Sequence, residues 1–164
     1  MRISADLQGK YKSLAELKGI ARALKEQNKT LVFANGCFDI VHVGHIRYLR
    51  EAAAYGDALL VAVNSDASVR RIKGPGRPVF NERERTEVIA ALACVDYVTL
   101  FDEPTVTPLL LALTPDFHAK GTDYSEDTVP ERDTVAAYGG RVIITGDKKS
   151  RSSTELIHHV KQRP

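Results

Sequence analysis

Two histidines, His42 and His45, stand three residues apart around Gly44 at the end of the run Asn35-Gly-Cys-Phe-Asp-Ile-Val-His-Val-Gly-His45. On the first turn of a helix that spacing puts both imidazoles on one side. There they can donate hydrogen bonds to phosphate oxygens, where negative charge builds as phosphorus is attacked. Gly36 lets backbone amides approach a phosphate, and Gly44 keeps the helix start open at the same place. A helix N-terminus adds its own attraction for anions through unpaired N–H groups and the helix dipole. Other readings of the run stay open. Cys37, His42 and His45 could ligate zinc, yet no second ligand cluster has matching spacing. Cys37 could be a nucleophile or a small residue packed against the loop, and Asp39 could simply cap a turn.

Further along, the basic stretch Arg70-Arg-Ile-Lys-Gly-Pro-Gly-Arg-Pro78 offers Lys73 and Arg77 as phosphate ligands, or no more than a solvated loop. Arg85 could reach a ligand or pair with a helix carboxylate such as Glu82. Lys120-Gly121 could line a site or form a plain strand-end turn. Ser152, Ser153 and Thr154 could cap a helix in any protein, and their hydroxyls and amides could equally hold phosphate.

These groups need a scaffold, and the chain alternates strand and helix signals nearly to its end. Residues 13–27 read as an amphipathic helix, with Leu14, Leu17, Ala21 and Leu24 on one face and a capping-box spacing from Ser13 to Glu16. Short apolar runs at Thr30–Ala34, Ala58–Val63, Tyr97–Phe101, Phe117–Lys120 and Arg141–Thr145 read as strands. Helices are expected at about 44–55, 82–93, 105–113 and 129–138, with a last one from about Ser153. Gly74-Pro75-Gly76 prevents regular structure throughout 70–78. Apolar strands alternating with helices imply parallel pairing, because crossover helices cover both sheet faces. The expected fold is therefore α/β: a Rossmann-like, open, parallel five-stranded sheet with helices on both faces. In such sheets ligands bind beyond the carboxyl ends of the strands, and the motifs fall there. Residues 1–28 are expected to form a helical segment packed on a domain spanning 29–164.

Bulk properties narrow the class. The 164 residues suit one ordinary domain with a full α/β core. Lys and Arg total 23 against 21 acidic residues, a net charge of +2, too balanced for a dedicated nucleic-acid binder. Two cysteines make no disulfide framework and suit a reduced cytoplasm. The N-terminus lacks the apolar core of a signal peptide, and no apolar run is long enough to span a membrane.

The run ending in His45 resembles the His-x-Gly-His signature of the nucleotidyltransferase superfamily, and the likeness continues in order over roughly residues 30–160. Val63-Asn64-Ser65-Asp66 is similar to a substrate-side strand end, Lys73-Gly74 with Arg77-Pro78-Val79 to a basic loop beside the acceptor phosphate, and Arg85 to a helix arginine that reaches the triphosphate. Lys120-Gly121-Thr122-Asp123-Tyr124 resembles a motif lining the nucleotide side, and Ser152-Ser153-Thr154 a motif opening the final helix. The likeness is strongest to the heptose-1-phosphate adenylyltransferases. Thr122 replaces a usual glycine, Ser153 a usual threonine, and His118 sits where related chains are apolar. Asp147 stands where the cytidylyltransferase branch usually carries arginine, which favours the heptose branch.

The resemblance implies transfer of AMP from ATP to a sugar 1-phosphate by direct in-line displacement, giving ADP-heptose and pyrophosphate. It assigns His42, His45, Lys73 and Arg85 to catalysis. Gly36, Cys37, Phe38, Gly44, Lys120, Gly121, Asp123, Ser152, Ser153 and Thr154 go to the nucleotide, and Asp39, Asn64, Asp66 and Arg77 to the acceptor. Mg2+ accompanies ATP through phosphate oxygens and water, without a dedicated protein cage. The implied partners are ATP and the sugar phosphate, with no nucleic acid or membrane, a homodimer left open, and the sugar kinase on a separate chain. The alternatives are a cytidylyltransferase acting on an alcohol phosphate such as glycerol 3-phosphate, and a nucleotide-binding sensor without turnover.

Overall fold

The computed structural model of the chain describes residues 9–147. Helix α1 (Leu14–Glu26) starts where the Ser13 and Glu16 spacing predicts. The Ser13 hydroxyl accepts the Glu16 N–H, and the Glu16 carboxylate accepts the Ser13 N–H at 2.8 Å. Its apolar residues Leu17, Ile20, Ala21 and Leu24 pack toward the sheet.

Five strands form that sheet: β1 (Leu31–Gly36), β2 (Ala58–Asn64), β3 (Tyr97–Phe101), β4 (Phe117–Gly121) and β5 (Arg141–Thr145). Their order is β3-β2-β1-β4-β5 and every pairing is parallel. All seven residues of β2 are buried, as an apolar strand covered on both faces must be. Helices α2 (Val43–Ala53) and α4 (Glu82–Ala90) close one face, packing Leu49, Ala52 and Ile89 on Val32, Val61 and Val63. On the other face, α1, α5 (Thr107–Leu113) and α6 (Arg132–Ala137) pack Leu17, Leu110 and Val135 on Phe33 and Leu60. Outside β3, residues 10–12 continue the pairing, with Lys12 N–H to Val98 O and Val98 N–H to Lys10 O, both 2.9 Å, which covers that edge.

Chain order runs outward from β1 in both directions, so the crossover helices leave a crevice above the carboxyl ends of β1 and β4. One element is absent from the sequence reading. The basic stretch, expected as a loop broken at Gly74, is helical up to that point as α3 (Asp66–Lys73). Ser65 starts it by accepting the Ser68 N–H, and Gly74 ends it at φ 86°. A helix this short, dominated by Arg70, Arg71 and Lys73 and burying only Ser68 and Val69, carries too few apolar residues to announce it. The expected helix near 129–138 is shorter, preceded by a 3-10 turn at Glu126–Thr128. Among the described residues no helix is long and apolar enough to cross a membrane.

Candidate functional site

The carboxyl ends of β1, β2, β4 and β5, with the start of α2, enclose a cleft of about 820 Å3. The run 35–45 forms its floor. His42 is the N-cap of α2, with extended backbone, and its Nδ1 accepts the Gly44 N–H at 3.1 Å. One turn on, His45 Nδ1 accepts the His42 N–H at 3.3 Å. The two side chains thus make a reciprocal capping box in imidazole, satisfying helix-start donors normally met by Ser and Glu. Because each Nδ1 is an acceptor, the neutral ring carries its proton on Nε2. The ring centroids lie 4.0 Å apart, and Phe38 meets the His45 ring edge-on at 5.5 Å. Two N–H donors of fixed tautomer therefore stand side by side at a helix N-terminus in the cleft.

Gly44 is a steric requirement of that arrangement. A Cβ there would lie 2.9 Å from His42 Cε1 and 3.0 Å from its Nδ1. Gly36 serves the same loop, since its Cβ would meet the Phe38 ring at 3.1 Å. At Gly121 a Cβ would meet nothing within 4 Å, because this glycine faces the cleft.

On the wall expected to meet the acceptor, Asp39 and Arg77 both line the cleft, and they bind each other. Asp39 is 3% exposed; its carboxylate accepts Arg77 Nε at 2.5 Å and the N–H groups of Val79 and Phe80 at 2.6 and 3.2 Å. It clamps the loop 74–80 over the strand ends, and Arg77 meets the cleft as half of an ion pair. Asn64 also lines the cleft, its amide donating to Ser68 Oγ at 2.9 Å. Lys73, at the end of α3, brings an exposed ammonium to the same wall.

Arg85 departs from its expected place. It is 1% exposed and lies beneath the cleft rather than in it. Its guanidinium donates to the carbonyls of Cys37 (2.5 Å), Asn64 (2.7 Å) and Phe80 (3.0 Å), and to Asp66 Oδ1 at 2.9 Å. Its carboxylate partner is Asp66, not Glu82, which instead accepts the Asp66 N–H at 2.8 Å. Asp66, expected at the substrate, is thereby turned to Arg85. Five donors in a planar fork suit this task of tying three segments together.

On the wall expected to meet the nucleotide, Lys120, Gly121 and Asp123 all line the cleft. Lys120 is 8% exposed, paired to Glu131 Oε2 at 3.2 Å and held 5.3 Å from the centre of the Tyr124 ring. Thr122 donates to Asp147 O at 2.8 Å, and Asp147 pairs with Arg47, so the ends of β4, β5 and α2 are linked at the rim. That exposed pair contributes at most about 1 kcal/mol. Ser152, Ser153, Thr154 and the last expected helix lie outside the described residues. Cys37 lines the cleft with its thiol pushed up, chiefly by burial, and a protonated thiol is a poor nucleophile. Among the described residues no group of three or more His, Cys, Asp or Glu is placed to hold a metal ion.

The sequence reading missed Asn35 and Arg47 as cleft residues. Asn35 was visible only as the residue before Gly36. Arg47 sits two positions past His45, where helical geometry alone does not decide between cleft and solvent.

Known proteins resemble the chain over most of its length. A family profile described as cytidylyltransferase-like matches residues 33–161. A protein named Bifunctional protein HldE, from Geobacter metallireducens, is 47% identical over 156 residues, covering 95% of this chain and 32% of the relative. Its namesake from Syntrophotalea carbinolica is 44% identical over 158 residues, covering 96% and 32%. The chain spans about a third of the length of these relatives. Among solved structures, the lipopolysaccharide core biosynthesis protein of Thermoplasma volcanium superposes with TM-score 0.64 at 31% identity, over 74% of this chain and 99% of that one.

Proposed function

Because the chain belongs to the cytidylyltransferase-like family, we propose that it transfers AMP from ATP to a heptose 1-phosphate, releasing pyrophosphate and forming ADP-heptose. The observation that carries the transferase reading is the pair of Nε2–H donors set by backbone N–H groups over the start of α2. A protein that only binds nucleotide gains nothing from donors preorganised for charge that appears in the transition state. The heptose choice rests on the ordered resemblance of the motifs from Asn35 to Thr154.

In this reading a phosphate oxygen of the sugar attacks the α-phosphorus. A new P–O bond forms in line as the bond from the α-phosphorus to the bridging oxygen breaks, and pyrophosphate departs with that electron pair. The nucleophile is already ionised near neutral pH, so positioning and charge stabilisation do the catalysis. His42 and His45 donate to the α- and β-phosphate oxygens. Ser152, Ser153 and Thr154 hold the outer phosphates, with Lys120, Gly121 and Asp123 on the nucleotide. Lys73 and Arg77 face the acceptor phosphate, Arg77 oriented by Asp39. Arg85 acts through the segments it ties together. Mg2+ bound to the phosphates would neutralise charge on the leaving pyrophosphate, and a cleft rich in donors and, among the described residues, without a carboxylate cluster fits an ion carried in by ATP. Two cysteines without a disulfide suit a reducing cytoplasm.

The test is pyrophosphate release with Mg2+, crossing ATP, CTP, GTP and UTP against heptose 1-phosphate in both anomers, glycerol 3-phosphate and ethanolamine phosphate. Release with ATP and one heptose anomer is expected. Release with CTP and an alcohol phosphate would overturn the substrate assignment, and ATP binding without release under any pairing would overturn turnover itself.

A further inference from the structure

His118, the second residue of β4, has no exposed surface and packs edge-on to Phe33 at 5.7 Å between ring centroids. An apolar side chain would fill that place without a polar cost. The imidazole instead puts Nε2 at 3.0 Å from Asn35 Oδ1. A carboxamide oxygen only accepts, so Nε2 carries the proton and His118 is the donor. Its Nδ1 is then buried with no hydrogen-bond partner among the described residues. Leaving an acceptor so buried is unfavourable by about 1–3 kcal/mol, and the contact with Asn35 is what the fold obtains for it.

The same Asn35 oxygen takes a second donor, Lys120 Nζ, at 3.4 Å. Lys120 is braced from behind by Glu131 at 3.2 Å. With both contacts on Oδ1, the Asn35 carboxamide is fixed in one orientation. Its NH2 group is the remaining polar end of a side chain that lines the cleft beside Lys120. An amide held this way is a preorganised donor, as an unheld one is not.

We propose that Asn35 is a further ligand-binding residue, donating from Nδ2 to a phosphate oxygen of the bound nucleotide, and that His118 is the positioning residue that orients it. This rests on the nucleotide assignment of Lys120 made above. The neutrality of His118 belongs to the device. Burial first, and then the charge of Lys120, push it from 6.5 down to about 3, so it stays a one-proton donor throughout the working range.

The experiment is calorimetric titration of the full chain with Mg–ATP in the absence of acceptor, alongside urea unfolding and steady-state KM values. Asn35→Asp keeps an oxygen for both His118 and Lys120 but removes the donor. Its unfolding midpoint should hold or rise while ATP affinity falls about tenfold or more, the scale of one charge-assisted hydrogen bond. Asn35→Ala, which adds no carboxylate to repel the phosphates, should show a similar loss of ATP affinity, which separates the missing donor from the new charge. His118→Leu should weaken ATP binding about fivefold with the fold intact, and should add nothing in an Asn35→Ala background, because it acts through Asn35. Unchanged ATP affinity in Asn35→Asp, loss of affinity for the sugar phosphate alone, or independent effects of the two substitutions would overturn the proposal. Titration reads ATP binding whether or not product forms, so failure of the transfer reaction and failure of this contact are separate results.

Discussion

Replacing Gly44 with alanine tests the catalytic geometry with one methyl group. The backbone at Gly44 is not left-handed, so alanine fits it. The added Cβ would stand 2.9 and 3.0 Å from two ring atoms of His42, inside any contact real Cβ atoms make. The neighbour is the end of a side chain, so the ring swings away rather than the helix unravelling. That breaks the His42 Nδ1 bond to the residue 44 N–H and removes one oriented Nε2–H from the cleft. Stability should change by less than about 1 kcal/mol. Alanine gains about 1 kcal/mol over glycine in a helix, and the lost cap gives back a similar amount. Turnover should fall about 10²–10³-fold, the loss seen when one preorganised donor is removed. The assay is pyrophosphate release under saturating substrates, paired with urea unfolding. A double variant, Gly44→Ala with His42→Ala, should be no slower than His42→Ala alone, because the clash requires the ring. Near-normal turnover in a folded Gly44→Ala protein would refute the role given to His42, and additive losses would refute the steric route.

Three further outcomes are expected. His45→Ala should lower kcat about 10²–10³-fold in a protein that still unfolds cooperatively; a folded variant with normal kcat would remove His45 from the chemistry. Arg85→Ala should destabilise the chain by about 3–5 kcal/mol, since three carbonyls and Asp66 lose a buried donor. An unmoved urea midpoint with activity abolished would instead return Arg85 to the triphosphate. For His118 the folded pKa, about 3, lies below the ordinary 6.5, so the unfolded chain binds the extra proton as pH falls. Its contribution is complete above about 6.5 and fades toward 3, removing about 2 kcal/mol between pH 7 and pH 5. Urea midpoints of the wild type and His118→Leu should diverge accordingly, and parallel pH dependences would contradict the burial of a neutral ring.

Most of the fold could be read from residue patterns because its strands are covered on both faces. Runs such as Ala58–Val63 are apolar throughout, and their alternation with helical segments leaves few sheets to choose from. Ser13 with Glu16 and Gly74 marked real boundaries, since caps and left-handed glycines act locally. Helix α3 escaped because its stability is not local. Of its eight residues only Ser68 and Val69 are buried, and its start is held by the Ser65 cap and by the Arg85 bond to Asp66.

At the site, the line between legible and illegible follows the same physics. His42, Gly44 and His45 were readable because their geometry closes within one helical turn: ring to amide, amide to ring, and a glycine where no Cβ fits. Asp39, Arg77 and Arg85 were recognisable as charges, but charge does not say whether a guanidinium faces a ligand or the protein's own carbonyls. That depends on burial and on partners up to 48 residues away, as for Arg85 and Cys37. The consequence runs in one direction. An arginine that gives four of its five donors to three carbonyls and a carboxylate, and is 1% exposed, is committed to the protein rather than to charge moving onto pyrophosphate, whereas an imidazole whose Nδ1 is occupied by the backbone has its other nitrogen committed to donation. The cleft thus separates two tasks that motif reading merges. Arg85 and Asp39 hold the walls where the strand ends meet, and in the proposed transfer the imidazoles above α2 are the groups placed to meet the developing charge.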